Sequence, residues 1–304
     1  MQLLRKLSHI ILPVILLFLT GCAETDGLQL EPGEASLFYD LYAGDNSSDY
    51  VAMTINQLKL SAEQGDIHAQ FYLGHRYREG QGTVQNYTVA VKWYRKAATA
   101  GLPSGQHSLG LMYSQGQGVS KDPSAAFTWM LRAAKQGHVK AQSLVGVKFF
   151  EGNGVEKDYE QAVYWFRQAA EQDFAEAQYN LGYMYQIGRG VSQDERLAFD
   201  WFTKAAEQKF AKAQADLGAL YLAGKGTKQD LIQAYAWSHV ASLAGNKVAL
   251  KNLVALPPHI PKENGPQATA MAKTYRSFFR TRPNHWPRLD SCLSKFGAVR
   301  EIDT

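Results

Sequence analysis

The side chains able to do chemistry in this 304-residue chain are few and poorly grouped. Its eight histidines fall at 9, 68, 75, 107, 138, 239, 259 and 285. His68 and His75 are two helical turns apart, a separation that puts two imidazoles on one helix face. No carboxylate recurs beside them at metal-ligand spacing, so no metal is expected. Neither the H-E-x-x-H pair of zinc peptidases nor the G-x-S-x-G elbow of serine hydrolases occurs. Gly-x-Gly pairs stand at 80/82, 116/118, 152/154, 188/190 and 224/226. A phosphate loop would need a strand before the pair and Lys-Ser/Thr after it. Here helical patterns flank both sides and that dipeptide is missing. Asp122, Asp158, Asp194 and Asp230 recur one at a time, which suits helix caps better than acid–base pairs. The expectation is a protein without catalytic residues and without a cofactor.

One residue has a clearer chemical assignment. Arg5 and Lys6 precede a largely apolar run from Leu7 to Leu19, broken by Ser8, His9 and Pro13, and then comes Leu19-Thr20-Gly21-Cys22. That run is shorter than the ~20 apolar residues a bilayer span needs, so residues 1–21 read as a cleaved signal. Leu-Thr-Gly-Cys resembles the bacterial lipoprotein lipobox. The resemblance implies acylation of Cys22, and Ala23 after it implies an outer-membrane destination rather than retention in the inner membrane. Residues 22–34 are polar, with Gly and Pro, and read as a flexible lipidated tether. The expected location is therefore the bacterial cell envelope, lipid-anchored in the outer membrane and facing the periplasm. With Cys22 assigned, Cys292 is left without a partner.

The elements that must position everything else follow from a period. Gly74, Gly110, Gly146, Gly182 and Gly218 are 36 residues apart. Trp93, Trp129, Trp165, Trp201 and Trp237 keep the same step, and so do Gln70, Gln106, Gln142, Gln178 and Gln214. Within one period, apolar residues recur at helical spacing in two stretches. In the third copy Val145 and Phe149 mark a first helix, A. Gly152 to Gly154 make a turn. Asp158 opens a second helix, B, with Gln161 placed as in a capping box and Ala162, Trp165, Phe166, Ala169 and Ala170 on its buried face. A glycine inside helix A costs about 1 kcal/mol relative to alanine, so its return in every copy predicts a close approach by a neighbouring helix. Residues 35–255 read as the repeat region: a worn first unit with a polar cap, five full units and a final half unit. Residues 256–304 read as a last helix near 265–280 followed by an irregular tail.

Charge excludes one class of partner. The chain holds 32 Lys and Arg against 28 Asp and Glu, a net +4. The basic residues are scattered along the sequence, which points away from nucleic acid.

The pattern A-x-x-x-L-G-x-x-Y-x-x-G-x-G-V-x-x-D-x-x-x-A-x-x-W-x-x-x-A-A-x-x-G, matched nearly position for position by residues 177–206, resembles the Sel1-like repeats, relatives of the tetratricopeptide repeats. Gly105 replaces its first alanine, Phe149 its tyrosine, and Asp173 and Lys209 its closing glycine. The resemblance implies an all-α solenoid of antiparallel helix pairs that binds a protein or peptide partner, with helix A lining the concave face. Some secreted relatives with a cysteine pair in each repeat act on β-lactams; this chain lacks those pairs, so that activity is not carried over. Partner specificity should lie where copies differ along helix A. The candidate contacts are Phe71, His75, Arg78, His107, Tyr179, Tyr183 and Gln186, with Leu111, Ser114, Ser143, Val147, Phe150, Ala215, Ala219 and Leu222 on the same stripe. The implied role is an envelope scaffold. Alternatives are an accessory of polysaccharide export or cell-wall assembly and, less favoured, an envelope hydrolase.

Overall fold

Helix B of each full copy begins on a side-chain oxygen. Asn86, Asp122, Asp158, Asp194 and Asp230 adopt extended backbone and accept from the amides of Val89, Ala125, Gln161, Leu197 and Gln233 at 2.9–3.0 Å. Each bond satisfies an amide that the helix itself leaves open. The reciprocal capping box forms elsewhere, at Thr54 and Gln57. Helix A of each of the five full copies ends on a left-handed glycine, for example Gly152 with φ 74°.

The computed structural model describes residues 47–256, 260 and 262–278. The described residues from 48 onward belong to one compact unit. The first two helices are α1, Ser47–Ala52, and α2, Ile55–Glu63. Five A–B pairs follow: α3 Ile67–Glu79 with α4 Tyr87–Thr99, α5 Pro103–Gln115 with α6 Pro123–Lys135, α7 Val139–Glu151 with α8 Tyr159–Ala170, α9 Ala175–Ile187 with α10 Glu195–Glu207, and α11 Ala211–Ala223 with α12 Leu231–Leu243. The end is built by α13 Lys247–Ala255, a 3₁₀ turn at Lys262–Asn264, and α14 Gly265–Phe278. No strand occurs among the described residues. Each helix packs against its neighbours in sequence, as an α-solenoid of antiparallel helix pairs requires. Both ends break the rule. α1 lies where the 36-residue step would put a turn, and α14 folds back onto α12, where Tyr275 packs on Trp237 with ring centres 4.7 Å apart.

Packing explains the recurring residues. A β-carbon added at Gly146 would stand 2.6 Å from the Phe166 ring of the same pair. Tyr94, Met130, Phe202 and Ser238 fill the same place opposite Gly74, Gly110, Gly182 and Gly218. The close approach predicted from the mid-helix glycines is therefore made by helix B of the same unit. Trp165 bridges α6 and α7, buried with Met130, Ala133, Ala134, Ala141 and Val145. Burial of such a side chain stabilises by roughly 1.5–3 kcal/mol. The second turn glycine has its own reason: a β-carbon at Gly154 would collide with the Pro123 carbonyl at the start of α6. From the second full copy on, each turn thus presses on the preceding helix B.

The recurrent glutamines connect the units. Gln106, Gln142 and Gln178 are buried and donate to the carbonyls of Ala98, Ala134 and Ala170 at 3.2–3.3 Å. Those carbonyls belong to the last turn of the preceding helix B, where the i+4 amide is gone and the backbone bond comes from the turn amides of Gly101, Gly137 and Asp173. The same three glutamines accept from Gln136, Gln172 and Gln208 at 2.7–2.8 Å, at the end of the following helix B. One amide side chain therefore joins two successive B helices across α5, α7 and α9.

Two backbone positions are held against preference. Asp173 and Lys209 stand where other copies have glycine, with φ 65° and 69°. A left-handed L-residue costs roughly 1–2 kcal/mol. Asp173 offsets this by accepting from Gln178 at 2.8 Å and Gln208 at 3.2 Å. Lys209 has no comparable bond in the structure.

Two measurements check these arguments in urea titrations. Gly146→Ala should lose about 1–2 kcal/mol, the difference between overpacking and the helix gain of alanine. Gly182→Ala should lose less, because its nearest contact is 3.1 Å; equal losses would disprove the close-approach reading. Lys209→Gly should gain about 0.5–1 kcal/mol. Asp173→Gly should gain nothing, since it forfeits two hydrogen bonds at about 0.5–1.5 kcal/mol each.

Candidate functional site

The stripe of variable positions runs along α3, α5, α7, α9 and α11, and the structure divides it. Phe71, His75 and His107 are buried. Phe71 packs on the rings of Tyr72 and Tyr94 at 5.3 and 5.8 Å. The His107 ring stacks on His138 at 4.6 Å. Burial, and then the nearby positive charges of His138, Lys140 and Arg78, hold the His107 imidazole well below its ordinary proton affinity. It is therefore neutral at physiological pH. These three side chains, expected at a contact surface, are part of the packing between helices. The sequence pattern could not separate them, because the stripe runs along the edge of the buried face. Arg78 is partly exposed and pairs with Glu79 at 2.6 Å.

The middle of the stripe is open. Val147 and Phe150 of α7 and Tyr179, Asn180, Tyr183 and Met184 of α9 surround a cavity of about 230 Å³, with the exposed Glu151 beside it. Tyr183 is 39% exposed, and its ring meets Phe150 edge-on at 6.3 Å. Gln186, one turn further along α9, is partly exposed. Phe150 itself rests against Tyr159 at 5.6 Å. The wall is apolar and aromatic, with a carboxylate at one side and an amide at another. Such a surface can take up an apolar or aromatic side chain from another molecule.

Tyr179 is anchored more firmly than Tyr183. Its ring lies against Phe202 and Phe210 at 5.4 and 5.3 Å, and its hydroxyl donates to Asp216 on α11. Burial, then the Asp216 charge, push the Tyr179 phenol well above its ordinary range. Burial raises the Asp216 carboxyl too, opposed by the Tyr179 hydrogen bond and Lys212. Asp216 is a site residue that the sequence pattern passed over. Its equivalents in the other copies are Tyr72, Ser108, Leu144 and Asn180, so it carries the one charge at that register position. Comparing copies position by position would have found it.

Four expected contacts remain at or near the surface, then: Arg78, Tyr179, Tyr183 and Gln186. The two tyrosines share the cavity, and Arg78 stands apart on α3. Cys22, the expected lipidation site, lies outside the described residues, as does Cys292. Among the described residues no three His, Cys, Asp or Glu side chains gather as metal ligands would. No described helix is long and apolar enough to cross a membrane.

Repeated helix pairs, capped and stitched in register around a surface of non-repeating side chains, define an α-solenoid scaffold. The chain belongs to the Sel1 repeat family, which is matched over residues 67–102, 103–138, 139–174, 175–210 and 211–246. It is similar to a protective antigen of uropathogenic Escherichia coli displaying an SLR fold, with 32% identity and a TM-score of 0.66 over 73% of this chain and 49% of that one. A Sel1 repeat protein from Oxalobacter formigenes is 28% identical with a TM-score of 0.61, covering 77% of this chain and 98% of the other. A segment of 45 residues is 42% identical to the secretory immunoglobulin A-binding protein EsiB of Escherichia coli, spanning 15% of this chain and 9% of that protein. The chain thus spans less than half the length of the two Escherichia coli proteins it matches. Sel1 repeat proteins generally mediate protein–protein interactions and are typically non-catalytic.

The Asp216 carboxyl gives the site a pH signature. Because its folded-state proton affinity is raised, the folded chain keeps a proton that the unfolded chain has released. This favours folding at acid pH and is lost as pH rises through the interval above about 3.9. Asp216→Asn should therefore melt higher than wild type near neutral pH, with the difference closing on acidification. A variant less stable at neutral pH would mean that the Tyr179 bond outweighs burial.

Proposed function

We propose that this chain is a lipid-anchored scaffold of the bacterial envelope that captures a protein or peptide partner on its helix-A row. The observation that carries this reading is the cavity between α7 and α9, with Tyr183 exposed beside Phe150. At the register position of Tyr183 the other copies have His75, Leu111, Val147 and Ala219. The scaffold repeats and this position does not, which suits a specificity determinant. Tyrosine is enriched at protein interfaces because it combines apolar area with one hydrogen-bonding group and few rotatable bonds. The bound partner would place an apolar side chain in the cavity. The anchor rests on Leu19-Thr20-Gly21-Cys22 and would hold the solenoid at the outer membrane, facing the periplasm. The similarity to EsiB is local, so its immunoglobulin ligand is not extended to this chain.

A photo-reactive amino acid placed at Tyr183 in living cells should crosslink a discrete partner. The same group at Tyr164, which is 51% exposed on helix B, should not. Tyr183→Ala should then weaken that partner's binding to the purified protein about tenfold or more, the range of an interface hot spot. Equal crosslinking from both positions, or unchanged affinity, would remove the helix-A row from the function. Radiolabelled palmitate should enter wild type and not Cys22→Ser.

A further inference from the structure

The whole-chain balance hides a division of charge between units. Residues 67–138, the first two full copies, hold 8 Lys and Arg against 2 Asp and Glu, a net +6. Residues 139–246, the next three, hold 11 against 13, a net −2. Lys and Arg are about equally dense in the two stretches, and in the first two copies they stand with few acids to balance them.

They converge on a groove on the helix-B row. Thr88, Val91, Lys92, Arg95, Lys96 and Thr99 of α4, with Gly118 and Val119 from the turn of the next unit, enclose about 490 Å³. The side chains of Lys92, Arg95 and Lys96 are exposed, and no acid lines the groove. Its floor is apolar, with Val91 buried and Val119 half-buried. Two of the cations are held in place. Arg95 donates to the Tyr113 hydroxyl at 3.0 Å, and Lys96 lies 4.3 Å from the centre of the Trp93 ring. The equivalent face of α8 carries Glu160 and Glu171 beside Arg167. On α10, Arg196 is paired with Asp200 at 3.4 Å. Only α4 and α6 present cations on this face without acids among the same positions.

We propose that this groove is a second interaction surface, separate from the helix-A cavity, and that it takes an acidic peptide segment of a protein partner. Carboxylates of the segment meet Lys92, Arg95 and Lys96, and an apolar side chain between them rests on Val91 and Val119. Alternating acidic and apolar residues fit best, because the cations rim an apolar floor. A nucleic acid is a poorer fit. Trp93, the aromatic ring beside the cations, is buried and offers no stacking face, and the acid-free basic face ends at α6. The acidic occupant is consistent with electrostatic selection, in which charge sets encounter and partner choice.

The test is fluorescence anisotropy with the full chain and a labelled peptide of alternating Glu and Leu. Wild type should bind it and should bind the Gln-for-Glu counterpart about tenfold more weakly, with affinity falling as salt rises. Lys92→Glu with Arg95→Glu and Lys96→Glu should reduce binding about tenfold or more. Lys92→Gln with Lys96→Gln, which spares the Arg95–Tyr113 bond, should give an intermediate loss and decides the matter if the triple variant fails to fold. Lys204→Glu on α10 should leave binding unchanged. Equal binding of both peptides, or of wild type and charge-reversed protein, would overturn the proposal. So would tighter binding to oligothymidylate or to phosphatidylglycerol vesicles, which would assign the face to a nucleic acid or a membrane.

Discussion

The contact between the glycine in helix A and the large side chain opposite it in helix B sets the geometry of the array. Phe166 against Gly146 leaves no room for a methyl group. Both residues must therefore arrive at one height, and the connecting turn must return the chain to that height in each copy. A single inserted residue would rotate helix B by about 100° and carry the ring off the glycine. This is a physical reason for a 36-residue step kept through five copies. The exception is instructive. Opposite Gly218 stands the small Ser238 rather than a large side chain, and it is this last pair that receives α14 against its helix B.

Glutamine bonds turn a stack of pairs into one object. Helix ends are the weak points of a solenoid, because their last carbonyls lose the i+4 helical amide and keep only a tighter turn bond, as Ala98 does from Gly101. Gln106, Gln142 and Gln178 give those carbonyls a second donor and at the same time tie the following helix B. Where the sequence departs from glycine at the closing position, the ladder helps to hold the strained residue. Asp173 accepts from the same amides that make the rungs. With cohesion assigned to repeating residues, the exposed non-repeating ones are released from structural duty. Two such places stand out: the tyrosine cavity on the helix-A row and the cationic groove on the helix-B row. They lie on different helix rows and in different units, so one scaffold can hold two partners of unlike chemistry.

Much of this was legible without coordinates. The period, the caps at Asp122, Asp158, Asp194 and Asp230, and the glycine-ended A helices all follow from local rules about which residue satisfies an open amide or adopts a left-handed turn. The apolar spacing was enough to assign helices, and the return of a costly mid-helix glycine to predict close packing at Gly146. The candidate stripe was legible only in part. Helical periodicity places Phe71, His75, His107, Tyr179 and Tyr183 on neighbouring faces, and it gives no measure of how deeply each one sinks. Helices that touch two neighbours bury more than half their circumference, so the boundary between core and surface shifts with the neighbour's side chains.

By itself, then, the sequence determined the helical class, the repeat length, the caps and the family, because each depends on interactions within one unit or between fixed equivalents. The Tyr179–Asp216 bond, the burial of His107 beside His138, and the convergence of Lys92, Arg95 and Lys96 beside the next unit's Val119 were decided by the tertiary structure. The first two join residues 37 and 31 positions apart in the sequence, and none lies at the repeat spacing. Such contacts exist only once one unit has been laid against the next, and no local preference of the chain encodes them.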